Sequence, residues 1–226
     1  MTTNNLGPKA GSFTPAAGVH WLTPWYDLGL AVLTRERRWR DELVAQIAPS
    51  SSDVIVDLGC GTGSLLVRLA ATEPRAELIG IDPDPAVLDR ARRKISRAGA
   101  AVQFIPGFGR EAARLLQGRS PTKIVSSLVF HQVPMAEKSA ALGAAYSALG
   151  PGGTLHIADY GLQRTALMRS LFRATVQNLD GVEDTQPQAD GILPELIRLA
   201  GFIDVAETQV IPTLTGSISL FRGVRG

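Results

Sequence analysis

The sequence contains a single cysteine among 226 residues, so no disulfide can form within the chain. No apolar run approaches the ~18 residues that a membrane-spanning helix needs, and the N-terminus lacks an apolar segment like that of a secretion signal. We therefore expect a cytoplasmic protein without stable membrane insertion. Only three histidines are present, none close in sequence to another, and no acidic cluster accompanies them. We expect no metal site.

An excess of charge of one sign is also missing, because the formal net charge is +2. That balance is too near neutral to indicate a nucleic-acid-binding surface. Apolar residues make up 45% and charged residues 19% of the chain, which is typical of a globular protein. The length suits one large α/β domain. We predict a mobile tail at 1–18 and a single domain at 19–226.

Strands and helices are predicted to alternate through the middle of the chain. A helical cap (19–50) precedes a core (53–160), an insertion (161–200) with helices at 162–180 and 193–200 and a polar loop at 186–190, and a terminal strand pair (201–226). The predicted core strands lie at 54–58, 77–82, 101–106, 123–130 and 154–159. This order predicts a doubly wound α/β sheet of seven strands. The last strand should be antiparallel, because the closing connection is too short for a crossover helix.

The most informative stretch is Val54-Ile-Val-Asp-Leu-Gly-Cys-Gly-Thr-Gly63. An apolar strand ends in an acid, a turn with three glycines follows, and a helix begins after it. Glycine lets a ligand approach the backbone, and a helix N-terminus offers unpaired N–H groups to an anion. The pattern therefore predicts a site for a nucleotide-like ligand.

The glycine spacing separates two kinds of ligand. The dinucleotide fingerprint needs a third glycine at position 64, which is Ser64 here, whereas Gly63 carries the third glycine. With Asp57 two residues before Gly59, the stretch resembles motif I of the class I S-adenosylmethionine (SAM) methyltransferases. The resemblance spans residues 21–226, is sharpest over 53–160, and implies the seven-stranded methyltransferase fold with SAM as cofactor. It places Gly59, Gly61 and Gly63 against the cofactor.

Two residues of this motif keep alternative roles. By the resemblance, Asp57 orients the glycine turn and reaches the methionine amino group, and the alternative is a purely structural acid. Thr62 either bonds the methionine carboxylate or caps the helix that follows.

Asp82 closes the second predicted strand, 19 positions after Gly63. An acid at this place in such folds accepts hydrogen bonds from ribose hydroxyls. The alternative, a loop acid that caps the next helix, is weakened because Asp84 fills that position. We predict that Asp82 binds the ribose, with Pro83 and Asp84 flanking the adenosine.

The amino-acid sequence after the third and fourth predicted strands departs from the family pattern. Gly107 and Phe108 replace the usual polar pair near adenine, so we expect a backbone N–H at the adenine edge and the Phe108 ring on its face. Residues 126–134 resemble the "hydrophobic-Phe-His-His-Leu-Pro" text of small-molecule methyltransferases, which places Ser126 among the cofactor-binding residues. They do not resemble the Asn/Asp-Pro-Pro-aromatic signature of enzymes that methylate nucleic-acid bases. We expect a small-molecule acceptor and no nucleic acid.

His131 is the candidate catalytic residue, since it lies near the carboxyl end of the fourth predicted strand, where open sheets place ligands. It is either a general base for the acceptor or part of the pocket wall. In the cap, the Tyr26-Asp27 pair resembles the N-terminal region of ubiquinone/menaquinone-biosynthesis-type methyltransferases, and that resemblance puts Tyr26 over the methionine end of SAM.

Together the residues and the resemblance predict a SAM-dependent methyltransferase that acts at carbon or oxygen of a small organic acceptor by in-line displacement. Two alternatives stay open at this point. One is an N-methyltransferase of a lipid head group or protein side chain, and the other is a SAM-binding regulator without catalysis.

Overall fold

The computed structural model describes residues 34–226. The predicted tail at 1–18 lies outside this range. So does the part of the predicted cap that precedes Thr34, including Tyr26. Within the described range no helix combines the length and apolarity needed to cross a bilayer.

Seven strands form one sheet in the order β3-β2-β1-β4-β5-β7-β6, which confirms the predicted doubly wound architecture. The first five strands are parallel, and β7 runs antiparallel to both β5 and β6. The strands are β1 (Val54–Leu58), β2 (Glu77–Asp82), β3 (Gln103–Pro106), β4 (Lys123–Ser127), β5 (Thr154–Tyr160), β6 (Ile203–Thr213) and β7 (Gly216–Val224).

Helices connect the strands on both faces of the sheet. The α-helices are α1 (Glu36–Ile47), α2 (Ser64–Thr72), α3 (Pro85–Arg97), α4 (Ala112–Leu115), α5 (Met135–Ala148), α6 (Ala166–Phe172), α7 (Asn178–Asp180), α8 (Val182–Ala189) and α9 (Leu193–Leu199). Short 3₁₀ turns cover Gly109–Glu111 and Phe130–Gln132, and a π-helical turn, Arg173–Gln177, joins α6 to α7.

Alternate residues of the central strands enter two separate hydrophobic layers, as the period of a β-strand requires. Ile55 packs with α1, α2 and α3, whereas its neighbour Val56 packs with α4, α5 and α9. The four α1 anchors of the described part of the cap are all buried, namely Trp39, Leu43, Val44 and Ile47. Helix α1 therefore belongs to the core, and its burial fixes the surroundings of β1.

Two predicted boundaries were wrong. The fourth strand ends at Ser127 and not at 130, because Leu128 adopts a left-handed φ of 56° and the next two N–H groups leave the ladder for a side chain of β5. The polar loop predicted at 186–190 is mostly helix α8, since Thr185, Gln188 and Ala189 form one buried face. Polarity indicates a loop only when the polar residues face solvent.

Asp53 ties the entrance of β1 to β4. Its carboxylate accepts hydrogen bonds from Ser50, from the Thr122 hydroxyl (2.7 Å) and from the Lys123 ammonium (2.7 Å). Burial alone would raise the pKa of Asp53, but the Lys123, Thr122 and Ser50 hydrogen bonds outweigh it and lower the pKa to about 2. The ionised group therefore stabilises the fold.

We predict that Asp53→Asn lowers the free energy of unfolding by about 2 kcal/mol at pH 7, the equivalent of a two-unit shift. Because the folded pKa is depressed, this contribution is full above the unfolded value near 4 and disappears as the pH falls towards 2. Urea denaturation should give the same loss at pH 5 and pH 8. Glu77→Gln, which removes an exposed pair with Arg119, is the control and should change little. Equal stability of Asp53→Asn and the wild type would contradict the prediction.

Candidate functional site

The sheet reverses its direction of growth between β1 and β4. From β1 the chain builds outward through β2 to β3, and from β4 it builds the other way. Connections that leave in opposite directions open a crevice outside the carboxyl ends of these strands, where doubly wound folds bind ligands. The predicted site residues Gly59, Asp82 and His131 all follow or close strands at this edge.

The glycine turn after β1 has the backbone shape that the sequence predicts. Gly59, Gly61 and Gly63 have left-handed φ values of 71°, 52° and 74°. A Cβ at Gly59 would lie 2.4 Å from the Val129 side chain, so the turns after β1 and β4 touch directly across the crevice. Glycine at 59 is required both by conformation and by this contact.

Asp57 is the most unusual polar group of the site. Its side chain is 1% exposed, and neither carboxylate oxygen has a hydrogen-bond partner among the described residues. Burial raises the pKa of Asp57 to about 7, the Arg40 guanidinium of α1 opposes this rise, and Asp82 adds to it. A buried carboxylate with unused acceptors is prepared to receive a cationic or N–H donor.

Asp82 and Asp84 divide the roles at the end of β2. One Asp82 oxygen accepts from the Gly61 N–H at 2.9 Å and the other from the Asp84 N–H at 3.0 Å. Each oxygen keeps a second lone pair for a ligand hydroxyl. Burial raises the pKa of Asp82, and the two backbone hydrogen bonds oppose that rise. Asp84 caps α3 through the N–H groups of Ala86 and Val87, and half-buried Pro83 lies between the two acids.

Thr62 does not cap α2, because the N-cap is Gly63 and no side chain bonds there. The Thr62 hydroxyl accepts a hydrogen bond from the Lys94 ammonium at 2.8 Å, and the Ser64 hydroxyl accepts another at the same distance. Lys94 of α3 thus braces both sides of Gly63. The sequence does not indicate this contact, because the two partners of Lys94 lie 32 and 30 positions away from it.

The segment after β3 uses its backbone donors internally. The Gly107 N–H donates to the Asp82 carbonyl at 3.1 Å, and the Phe108 N–H donates to the Glu111 carboxylate at 3.0 Å. The expected N–H contact with an adenine edge is therefore not prepared here. The Arg110 guanidinium lies 4.2 Å from the centroid of the Phe108 ring. Stacking of the Phe108 ring on the adenine face stays a prediction.

Ser126 occupies a bracing position. It is 1% exposed, and its hydroxyl donates to the Leu58 carbonyl at 2.8 Å. The hydroxyl is thus engaged between β4 and the carboxyl end of β1, where it holds the two strands of the crevice together. The place of Ser126 among the cofactor-binding residues stays a prediction, and any such contact would not use the donor of its hydroxyl.

His131 lies in the 3₁₀ turn beyond β4, between two carboxylates. Its Nδ1 is 2.8 Å from an Asp159 oxygen, and its Nε2 is 3.5 Å from an Asp180 oxygen. Burial opposes the charged ring, but Asp159 and Asp180 outweigh it and raise the pKa of His131 to about 9. At neutral pH the ring is an imidazolium, and both nitrogens face acids.

Asp159 organises the neighbourhood of His131. This fully buried residue of β5 accepts hydrogen bonds from the N–H groups of Val129 (3.0 Å), Phe130 (2.7 Å) and Tyr160 (2.8 Å). The sequence analysis passed over it, although an acid at the carboxyl end of a parallel strand is a signal that would have identified it. Lys138 was missed for another reason, since nothing in an amphipathic pattern indicates a fully buried lysine.

The segment predicted as a helix at 162–180 contributes only some of its apolar side chains to the surroundings of His131. Phe172 is buried, and its ring packs edge-on against that of Tyr160 with 5.1 Å between the ring centroids. The centroids of the Tyr160 and His131 rings are also 5.1 Å apart. Leu167 is 68% exposed and does not line this cluster. No group of three or more metal-ligating side chains occurs among residues 34–226.

The whole arrangement fits a nucleoside that carries a cationic end. In the part of the chain that the structure describes, Asp57 has unused buried acceptors and Asp82 offers two lone pairs to a diol. Within the same residues, no atom except those of its chain neighbours lies within 4 Å of the place where a Cβ of Gly61 would stand. These three features lie along the carboxyl ends of β1 and β2. Their order suits an amino group at one end and a ribose at the other.

Comparison with known proteins agrees with this geometry. Residues 55–153 match the model of a family described as "Methyltransferase domain". A trans-aconitate 2-methyltransferase of Methylobacterium radiotolerans is 32% identical over 51% of this chain and 41% of its own length. A demethylmenaquinone methyltransferase of Thermus thermophilus is 31% identical over 62% of each chain. The matched part thus spans less than two thirds of both relatives.

Solved structures share the fold over most of the chain. An O-methyltransferase family protein of Burkholderia thailandensis superposes with a TM-score of 0.70 at 20% identity, covering 92% of this chain and 61% of its own. The magnesium protoporphyrin IX methyltransferase of Synechocystis, solved with bound S-adenosylhomocysteine, gives 0.66 at 18% identity and covers 88% and 87%. These structures confirm the predicted methyltransferase fold.

The unpaired carboxylate of Asp57 should cost stability in the ligand-free protein. Because its folded pKa of about 7 lies above the ordinary value of 3.8, the folded state loses stability as the pH rises from about 4 to about 7. Asp57→Asn removes this loss and should raise the free energy of unfolding at pH 8 by on the order of 1–3 kcal/mol. Denaturation at pH 5 and pH 8 measures the effect, which should be larger at pH 8.

Asp89→Asn provides the matched control for Asp57→Asn, because Asp89 forms only an exposed pair with Arg92. Its stability should follow that of the wild type at both pH values. A destabilised Asp57→Asn protein at pH 8 would show that the carboxylate is satisfied in the ligand-free state and would contradict the prediction.

Proposed function

We propose that the chain is a class I SAM-dependent methyltransferase and that it transfers a methyl group from SAM to carbon or oxygen of a small organic acceptor. The observation that carries this proposal is the buried Asp57 carboxylate beside the glycine turn at the reversal of the sheet, which has no hydrogen-bond partner within residues 34–226. The names of the two curated relatives support a small acceptor, since one is named for trans-aconitate and the other for demethylmenaquinone.

The cofactor of this family is SAM, which supplies, when bound, a sulfonium methyl group that a nucleophile displaces in line. Asp57 would accept hydrogen bonds from the methionine ammonium, and the turn from Gly59 to Gly63 would let the ligand approach the backbone. Asp82 would accept from the two ribose hydroxyls. Pro83, Gly107 and the Phe108 ring would border the adenine.

The charge on Asp57 sets the strength of the proposed methionine contact. A carboxylate attracts an ammonium group, whereas a protonated carboxyl does not. Arg40, whose guanidinium favours ionisation of Asp57, helps to keep the acid charged although both groups are largely buried. Since Arg40 also pairs with Glu36 at 2.7 Å, its charge is partly neutralised, which leaves Asp57 able to receive a second cation.

We infer that His131 does not act as a general base. A base needs a free lone pair, and the His131 ring is protonated at neutral pH with each nitrogen directed at a carboxylate. Methyl transfer then depends on the positioning of the acceptor and the exclusion of water. This reasoning favours acceptors that are already nucleophilic, such as a carboxylate oxygen, a phenolate or an activated carbon.

Calorimetry tests the cofactor. We predict that the protein binds S-adenosylhomocysteine and not NAD, since the glycine spacing and Asp57 favour the first. Asp82→Ala should weaken S-adenosylhomocysteine binding by about 2–3 kcal/mol, the scale of hydrogen bonds to a charged group. The control is Asp89→Ala, which removes an exposed acid paired with Arg92 on α3, so its dissociation constant should stay within about twofold of the wild type. An unchanged constant for Asp82→Ala would reduce Asp82 to a loop acid.

Turnover tests the proposed activity itself. Incubation with SAM and a small panel of acceptors, including a polycarboxylate and a hydroquinone, should give S-adenosylhomocysteine at a rate that depends on the acceptor. Asp57→Ala, which removes the proposed ammonium ligand, should reduce that rate by about 100-fold or more. A protein that binds S-adenosylhomocysteine tightly but shows no acceptor-dependent turnover would instead fit a SAM-binding regulator.

A further inference from the structure

Two buried cations join the turn after β4 to the helices inserted between β5 and α9. His131, in that turn, reaches Asp180 at the end of α7. Lys138 of α5 donates from its ammonium to the Val133 carbonyl and to the Asp184 carbonyl of α8, both at 2.7 Å. The side chains of His131 and Lys138 thus bond the same inserted segment from two sides.

The other end of this connection is anchored in the sheet. Asp159 of β5 holds the His131 ring through Nδ1 and fixes the backbone of the same turn through the N–H groups of Val129 and Phe130. The His131 ring therefore cannot rotate away without losing a buried hydrogen bond. It links a rigid strand on one side to an inserted helix on the other.

The side chains that make these contacts are almost completely shielded from solvent. Lys138 and Asp159 are fully buried, and His131 is 6% exposed. Charged groups that face His131 are Asp159 from β5 and Asp180 from α7, with Lys138 from α5 close to Asp159 and the Asp184 carboxylate next along the insertion. In such surroundings a neutral His131 ring would offer only one N–H to two carboxylates, so one of them would lose its partner.

We propose that His131 is a positioning residue whose protonated ring clasps the inserted helices, residues 166–189, over the carboxyl ends of β4 and β5. The clasp is the set of contacts made by His131 with Asp159 and Asp180. That these helices form the acceptor side rests on the proposed function, but the clasp itself rests only on the contacts described.

The protonation of the ring decides whether the clasp holds. Because the folded pKa of His131 is raised from 6.5 to about 9, the stabilisation is full below about 6.5 and is lost as the pH rises through about 9. Asp180, whose side chain is 28% exposed, is the member of the clasp that can be altered with the least disturbance of the core.

The test compares Asp180→Asn with Glu183→Gln in the full chain. Both changes remove one acidic charge from the insertion, but Glu183 is exposed and has no ion pair among the described residues. Amide hydrogen exchange at pH 7 should be about 5-fold faster or more across residues 166–189 in Asp180→Asn, since the segment opens more often, and unchanged in Glu183→Gln. Calorimetry with S-adenosylhomocysteine should give the same affinity in both variants as in the wild type.

Nuclear magnetic resonance of the imidazole rings supplies the readout that a merely structural role would not move. The chain has three histidines, and loss of a signal in His131→Gln assigns the ring. His131 should titrate near pH 9 in the wild type and in Glu183→Gln, and at a clearly lower pH in Asp180→Asn. His156 should stay neutral throughout, because burial, together with Lys123 and Arg222, lowers its pKa to about 3.

A His131 ring that titrates at or below about 6.5 in the wild type would overturn the clasp, as would equal exchange rates in the two variants. If the wild type fails to bind S-adenosylhomocysteine while the titration and the exchange behave as expected, the proposed function fails and the clasp stands. The two proposals are thus tested separately.

Discussion

The reversal of strand order between β1 and β4 is the constraint on which the rest of the site depends. It forces the chain to leave two neighbouring strands in opposite directions, so their carboxyl ends are not covered by a common connection. The two turns still have to meet, and they do so through Gly59 and Val129, where a single added Cβ would not fit. The glycine that looks like a ligand-binding feature in the sequence is therefore also a packing requirement of the sheet.

Three aspartates at the ends of core strands show how surroundings decide what one residue type does. Asp53 receives hydrogen bonds from three side chains and one backbone N–H, and its pKa falls to about 2, so it stabilises the fold. Asp57 receives none among the described residues, and its pKa rises to about 7. Asp159 is buried like Asp57 but is satisfied by three N–H groups and His131. Of these three aspartates, only Asp57 has both carboxylate oxygens without a hydrogen bond from the described residues.

The sequence was sufficient for the parts of the structure that local chemistry controls. The alternation of strands and helices, the antiparallel last strand, the glycine turn after β1 and the cap of α3 by Asp84 follow from periodicity, turn residues and short connections. The errors arise where distant side chains decide the outcome. Strand β4 stops early because Asp159 captures its next N–H groups, and α8 forms because its polar face is buried. Asp159 lies 29 positions after Phe130, so the sequence around β4 does not reveal it.

The same limit explains why the sequence left the role of His131 open between a general base and part of the pocket wall. Position alone placed a histidine at the end of a strand in a ligand crevice, which is where catalytic histidines occur. What the sequence does not display is that Asp159 lies 28 positions and Asp180 49 positions further along, on either side of the ring. The two carboxylates favour the protonated ring of His131, which suits the proposed positioning role and not base catalysis.

The two ends of the crevice consequently respond to pH in opposite ways. At the cofactor end, Asp57 becomes an anion as the pH rises through about 7, which is the form that suits a methionine ammonium. On the other side, His131 remains a cation until the pH approaches about 9, which is the form that bridges two acids. Both groups carry the required charge between these values. Asp57, which has no hydrogen-bond partner among the described residues, and His131, which has two carboxylate partners, thus define a pH range. Between about 7 and about 9 the proposed cofactor site and the clasp are both intact.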